Sequence, residues 1–169
     1  MPGIALSVDV EAPAQATWDA AVDWARQGEW MLGTRVTPTA GDGQGVGGRV
    51  EAFTGIGRIG FVDPMEITLW QPPRACHVRH LGRVVRGTGA FEVEPRGDGR
   101  SRFHWREELD LPLGIVGRVG WLLVRPFFAY GVRLSLRRFA RSVVAGVRAR
   151  HRQAEHCSRV RRRRRCDHR

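Results

Sequence analysis

Between Gly33 and Leu111 the sequence breaks into six short runs of strand character, and one long amphipathic stretch follows them. The runs fall at 33–39, 46–56, 61–70, 75–81, 84–94 and 101–110. The breaks carry turn chemistry: Gly41-Asp42-Gly43, Gly57 to Gly60, Pro72-Pro73, Gly82 and Gly97-Asp98-Gly99. Connections this short predict that sequence neighbours pair as an antiparallel meander. Upstream, Ile4, Leu6, Val8 and Val10 alternate with smaller or polar residues, which predicts a strand over 4–10. Pro13 suits the first turn of a short helix over 13–22, and a second short helix is expected over 23–31. Downstream, Val132, Leu136, Phe139, Val143 and Val147 recur at helical spacing from about Ile115 to Arg150. Arg133, Arg137, Arg138, Arg141 and Arg148 occupy other faces, and Pro126 is expected to kink or divide the helix.

A meander must cover its apolar face, and one long helix is the only large cover available. The expected class is therefore α+β: a curved antiparallel sheet of about seven strands around a long C-terminal helix, with two short helices after the first strand. One helix cannot fill a strongly curved sheet, so part of the concavity is plugged by side chains or left as a pocket.

The length of 169 residues suits one such domain, expected over 1–150. All 28 basic residues are Arg, and the net charge is +11. Residues 151–169 hold eight Arg against Glu155 and Asp167, about +6 (8 − 2), which leaves about +5 (11 − 6) for the rest. An Arg-rich C-terminal tail without fixed structure is expected there. It would attract an anionic membrane surface, or nucleic acid only non-specifically, since no Phe, Trp or Tyr follows Phe139 to stack on bases. Cys76, Cys157 and Cys166 are an odd number and form no disulfide framework. The N-terminus has no long apolar core of a signal peptide. Arg118, Arg125 and Arg133 interrupt the only long apolar stretch, so no spanning segment is expected. The expected location is cytoplasmic, with a peripheral position at the membrane as its extension.

Two stretches match a dinucleotide fingerprint by letter, Gly43-x-Gly45-x-x-Gly48 and Gly55-x-Gly57-x-x-Gly60, but strands rather than helices follow them, so turn glycines are expected. His77 and His80 lie three apart in a strand and point to opposite faces, so they cannot share an ion. Cys157, Cys166, His156 and His168 lack metal-finger spacing. No metal and no cofactor is expected. In the last strand Phe103, Trp105, Glu107 and Leu109 share a face, opposite His104, Arg106 and Glu108. The aromatics make the first face inward, and Glu107 becomes a weak catalytic candidate as an acid or base. Its plainer alternative is a rim ion pair with Arg79 or Arg86. Asp63-Pro64 reads as a turn opening and Glu66 as solvated. The run Trp121 to Phe128 reads as helix core, or as a gate or membrane-touching edge.

VDVEAPAQATWDAAVDW at 8–24, GEWMLGTRV at 28–36, GIGRIGFVDPMEIT at 55–68, FHWREELDLPLG at 103–114 and SLRRFARSV at 135–143 together carry a resemblance. Over residues 4–147 the chain resembles the SRPBCC superfamily, the START-related helix-grip proteins, and within it the polyketide cyclase/dehydrase and lipid-transport group. The resemblance implies a cavity for a small apolar ligand. That cavity is expected to be lined by Met65, Ile67, Leu69, Phe91, Val93, Phe103, Trp105, Glu107, Leu122 and Tyr130 and closed by the long helix. The implied function is a carrier or sensor of a lipid, isoprenoid or polyketide. The alternatives are a cyclase or dehydratase using acid–base groups in that cavity, and a surface-interaction protein recruited by the Arg tail.

Overall fold

The computed structural model describes residues 3–82, 85–110 and 114–166, with side chains placed up to residue 158 except at 114–119. Strand β1 (Gly3–Val10) is followed by helix α1 (Ala14–Ala21), a 3-10 turn (Trp24–Arg26) and helix α2 (Gln27–Trp30). Strands β2 (Thr34–Ala40), β3 (Arg49–Ile56), β4 (Ile59–Gln71), β5 (Ala75–Leu81), β6 (Arg86–Pro95) and β7 (Ser101–Leu109) then form the meander, and helix α3 (Gly114–Cys166) closes the order. The sheet runs β1-β7-β6-β5-β4-β3-β2, with every neighbouring pair antiparallel. The meander follows from the turns. Arg96 N–H to Arg100 C=O at 3.0 Å closes the β6–β7 connection over Gly97-Asp98-Gly99, where all three residues take positive φ. The expected stop at Pro112 and the first residue of the run 84–94 lie outside the described residues.

The α1–α2 segment crosses from the β1 edge to the β2 edge, and Trp30 is its anchor. Its ring meets Phe139 at 4.8 Å, Trp105 at 6.1 Å and Phe103 at 6.5 Å, while Phe103 and Phe139 touch at 4.6 Å. Val132, Leu136, Phe139 and Val143 of α3 are buried at the spacing the sequence predicts. One indole therefore ties the helical segment, the sheet and α3 into one core. Thr17 on α1 is fixed to β7 by a 2.8 Å bond to Ser101, whose hydroxyl lies 2.9 Å from the Ala12 carbonyl.

Three expectations change. Helix α3 runs through Pro126 undivided; residues 122–128 are exposed, so the Leu122 carbonyl that Pro126 cannot serve is open to solvent. The backbone stays helical into the segment expected to lack structure, as far as Cys166. Arg is a good helix former, and no Gly or Pro follows Gly146 to stop propagation. Asp63-Pro64 is no turn but lies inside the 13-residue β4, because Gly57–Arg58 already makes the turn.

Candidate functional site

The concave face of the sheet is apolar by parity. Val50 and Ala52 on β3, Met65 on β4, Cys76 and Val78 on β5, and Phe91 on β6 share it with Trp105 on β7. Trp24, Gln27 and Met31 cover one side, and Phe128, Val132 and Ser135 of α3 another. They enclose a cavity of about 290 Å³, at the lower end of the usual range for small-molecule sites. Gln27 is buried but satisfied, donating to the Ala21 carbonyl at 2.7 Å. Gly43 sits against Trp24, whose indole N–H donates to the Gly43 carbonyl at 2.8 Å. A Cβ there would lie 2.8 Å from Val50 Cγ1, so this turn packs only with glycine at its positive φ.

Three ionisable side chains break the apolar wall. Asp63, His80 and Glu107 are all buried. His80 Nδ1 lies 2.6 Å from Asp63 Oδ2, and His80 Nε2 lies 2.9 Å from Glu107 Oε2. Trp105 Nε1–H donates to the other Glu107 oxygen at 2.7 Å. Burial works against a charged ring at His80, but the hydrogen bonds to Asp63 and Glu107, reinforced by their charges, outweigh it and raise its pKa to about 10. His80 is then an imidazolium that donates from both nitrogens. Asp63 Oδ1 is buried without a hydrogen-bond partner among the described residues.

Gly89 makes this arrangement possible. Glu107 and His80 stand on β7 and β5 with β6 between them, and Gly89 pairs with Glu107 across the β6–β7 ladder. A Cβ on Gly89 would lie 3.1 Å from each Glu107 oxygen and 3.0 Å from Val78 Cγ2. Gly87, opposite His80, shares the same strand parity. The bare Cα of Gly89 leaves a gap through which the carboxylate reaches the imidazole.

Of the expected lining, Met65, Phe91, Trp105 and Glu107 face the cavity. Ile67, Val93 and Phe103 are buried in the solid core beside it, under Trp18, Trp30 and Phe139. Leu69 does not line it: a bulge between Ile67 and Leu69 reverses the parity of β4, and Trp70 turns inward to meet Trp18 at 5.1 Å. Leu122 and Tyr130 are exposed on α3, since its first turns project beyond the sheet. Glu107 does not pair with Arg79 or Arg86. Arg79 points outward and shares Glu66 with Arg49, at 3.1 and 3.2 Å, so Glu66 is ion-paired rather than free in solvent. Arg86 donates to the Gly82 carbonyl at 3.4 Å. His77 and His80 do lie on opposite faces, with His77 near Glu92 at 3.4 Å. The letter matches to a dinucleotide loop are turns: Gly55 and Gly60 face each other across the β3–β4 hairpin, and Gly48 leads into β3. Sequence reasoning missed Asp63 and His80 as partners. His80 shares parity with Cys76 and Val78, and that inward parity together with Gly87 and Gly89 is the signal that finds it.

Cys76 also faces the cavity, and burial alone pushes its thiol up to about 12, so it is an inert wall. Among the described residues no group of His, Cys, Asp and Glu is arranged to hold a metal ion, and no helix is long and apolar enough to cross a membrane.

The chain matches the model of a family described as polyketide cyclase/dehydrase and lipid transport over residues 1–144. Among curated protein sequences, none matches. Among solved structures, the chain is similar to the Zhui aromatase/cyclase from Streptomyces sp. R1128, at 15% identity and a TM-score of 0.73, over 88% of this chain and 96% of that one. It is similar to a protein from Thermus thermophilus at 16% identity and a TM-score of 0.69, over 86% and 99%. It is also similar to the di-domain aromatase/cyclase BexL of the BE-7585A biosynthetic pathway, at 14% identity and a TM-score of 0.65, over 85% of this chain and 46% of that one. At these identities the likeness is one of fold: a curved seven-stranded sheet gripping a long C-terminal helix.

Proposed function

The chain belongs to the polyketide cyclase/dehydrase and lipid transport family, and we propose that within it the protein binds a small apolar ligand in the cavity between sheet and helix. The observation that carries this reading is a cavity of about 290 Å³ walled by Trp, Phe, Met and Val, with charge confined to the Asp63–His80–Glu107 set. Such a site favours a compact, ring-sized apolar molecule with a polar group turned toward the charged set.

The hydrogen bonding supports binding over proton transfer. Both oxygens of Glu107 already accept, one from Trp105 and one from His80. With its pKa raised to about 10, His80 holds its proton through neutral pH. His80 is therefore not poised near pH 7, where general acid–base catalysis is most effective. The set orients a ligand; it does not shuttle protons in its resting arrangement. A cyclase or dehydratase reading needs the ligand itself to displace Trp105 or His80 from Glu107, and the presence of a carboxylate on the cavity wall is the observation in its favour.

The test is titration of the delipidated protein with the uncharged fluorophore N-phenyl-1-naphthylamine, beside an Ala52→Trp variant that fills the cavity. Uptake by the wild type and its loss in the variant, with folding retained, is expected. Absence of uptake by the wild type, or equal uptake by both, removes the binding reading. Glu107→Gln separates the enzyme reading: turnover of a polyketide substrate that vanishes while uptake persists would favour catalysis.

A further inference from the structure

The cavity opens beside an uncovered apolar surface. Phe61 and Phe128 line the cavity and are also solvent-exposed. Around Phe61, the β3–β4 hairpin presents Ile56 at 88% exposure, Ile59 at 85% and Val62. Around Phe128, helix α3 presents Leu122, Leu123, Val124, Tyr130 and Phe127, the last at 79% exposure. Residues 122–127 are exposed at every helical angle and all but Arg125 are apolar, so this helix segment has an apolar surface without cover among the described residues. A patch of this kind marks an interaction surface.

Charge selects the partner. Between Glu51 and Asp63 the hairpin has no acidic residue, and its tip carries Arg58. Between Asp110 and Glu155 the chain has none either, while Arg125 lies within and Arg133 just beyond the exposed segment of α3. Apolar side chains that protrude among cations, in two segments that carry no acidic residue, complement the interface of an anionic bilayer. We propose that the cavity mouth docks on an anionic membrane surface through the β3–β4 hairpin tip and residues 122–130 of α3, so that an apolar ligand passes between bilayer and cavity without crossing water. The last step rests on the reading of the cavity as an apolar ligand's site; the docking does not. It also differs from recruitment by the Arg-rich end of α3, which lies more than twenty residues further along the helix, over about 30 Å.

The test is co-sedimentation with vesicles of phosphatidylcholine alone and of phosphatidylcholine with 30% phosphatidylglycerol. The wild type, Ile59→Ser/Phe127→Ser, Arg58→Gln/Arg125→Gln and a chain lacking 151–169 are compared, with thermal melts and N-phenyl-1-naphthylamine uptake measured on each. The substituted side chains are exposed, so folding and probe uptake are expected to persist. Wild-type binding to the anionic vesicles is expected, with at least about tenfold weaker partition for the apolar pair. A loss of about fivefold for each Arg removed is also expected. Loss of probe uptake in the wild type would sink the cavity reading and leave the docking standing. Unchanged partition of the apolar pair, or binding abolished only by removing 151–169, overturns the docking. So does a wild-type dimer in sedimentation equilibrium that the apolar pair converts to monomer, since the patch would then be covered by a second copy.

Discussion

Raising the pH should unlock the Asp63–His80–Glu107 set, and the structure fixes the sign and the window. A histidine whose pKa is raised in the folded state adds stability that is complete below its unfolded value near 6.5 and is lost as pH rises through its folded value of about 10. The interval between them sets a ceiling of roughly 5 kcal/mol, at about 1.4 kcal/mol per pH unit. About 3 kcal/mol of it should disappear between pH 6.5 and 9. Other groups titrate in that range, so the informative quantity is the difference from a variant. In Glu107→Gln the amide carbonyl can still accept from Trp105, and the amide N–H can donate to a neutral His80 at Nε2 while Nδ1–H serves Asp63. The ring no longer needs its second proton, and the stability slope should fall to less than roughly half that of the wild type. Urea unfolding at pH 6.5, 7.5 and 9 measures both slopes, and the His80 ring protons give an independent readout by NMR. They should stay in the imidazolium position to beyond pH 8.5 in the wild type and titrate in the variant. Cys76, pushed up to about 12, stays out of this window. Equal slopes in the two proteins, or a wild-type His80 that titrates near 6.5, would refute the assignment of the doubly bonded imidazolium.

Three further outcomes follow from the packing. Gly89→Ala places a methyl 3.1 Å from both Glu107 oxygens, so the carboxylate must shift by tenths of an ångström; a cost of about 1–3 kcal/mol in urea melts is expected, with a lowered His80 pKa, and the same change at Gly45, where an added Cβ meets nothing within 4 Å, should not move that pKa. Trp30→Ala empties the junction between α2, the sheet and α3 and should cost about 3–5 kcal/mol by denaturant unfolding. Trp105→Phe keeps most of the cavity wall but removes the indole donor to Glu107, and about 1.5–3 kcal/mol should be lost because the hydrogen bond is to a charged acceptor.

Strand number, order and helix cover were legible because each rests on local chemistry that nothing overrides. The Gly57–Gly60 and Gly97–Gly99 turns reverse the chain wherever it goes, and the Val132–Val147 stripe can face only one way. The errors sit where one residue changes a long-range count. A bulge after Ile67 inverts the parity of Leu69 and Trp70, and no letter in the run marks it. Asp-Pro favours a turn, yet β4 stays paired with β3 through Asp63 because the hairpin closes at Gly57 instead. The tail followed its charge in the sequence reading, whereas its backbone follows helix propensity through Cys166.

The charged set shows the same division within one site. Parity alone put Glu107 inward, and the aromatic neighbours Phe103 and Trp105 gave the face. What it touches could not come from parity, because its partner stands two strands away and the contact passes through the gap left by Gly89. A buried carboxylate must find a donor, and the two Arg expected beside it are engaged elsewhere, Arg79 with Glu66 and Arg86 with the Gly82 carbonyl. The donors that reach it are the Trp105 indole and His80. Once His80 is the donor to Glu107, its other nitrogen must also be satisfied, and Asp63 is the acceptor the long β4 brings there. The composition of the site is thus forced stepwise from one buried carboxylate. On the binding reading proposed above, the hydrogen bonds within the set would fix it as a rigid polar end for a ligand, with Asp63 Oδ1 the oxygen they leave without a partner among the described residues.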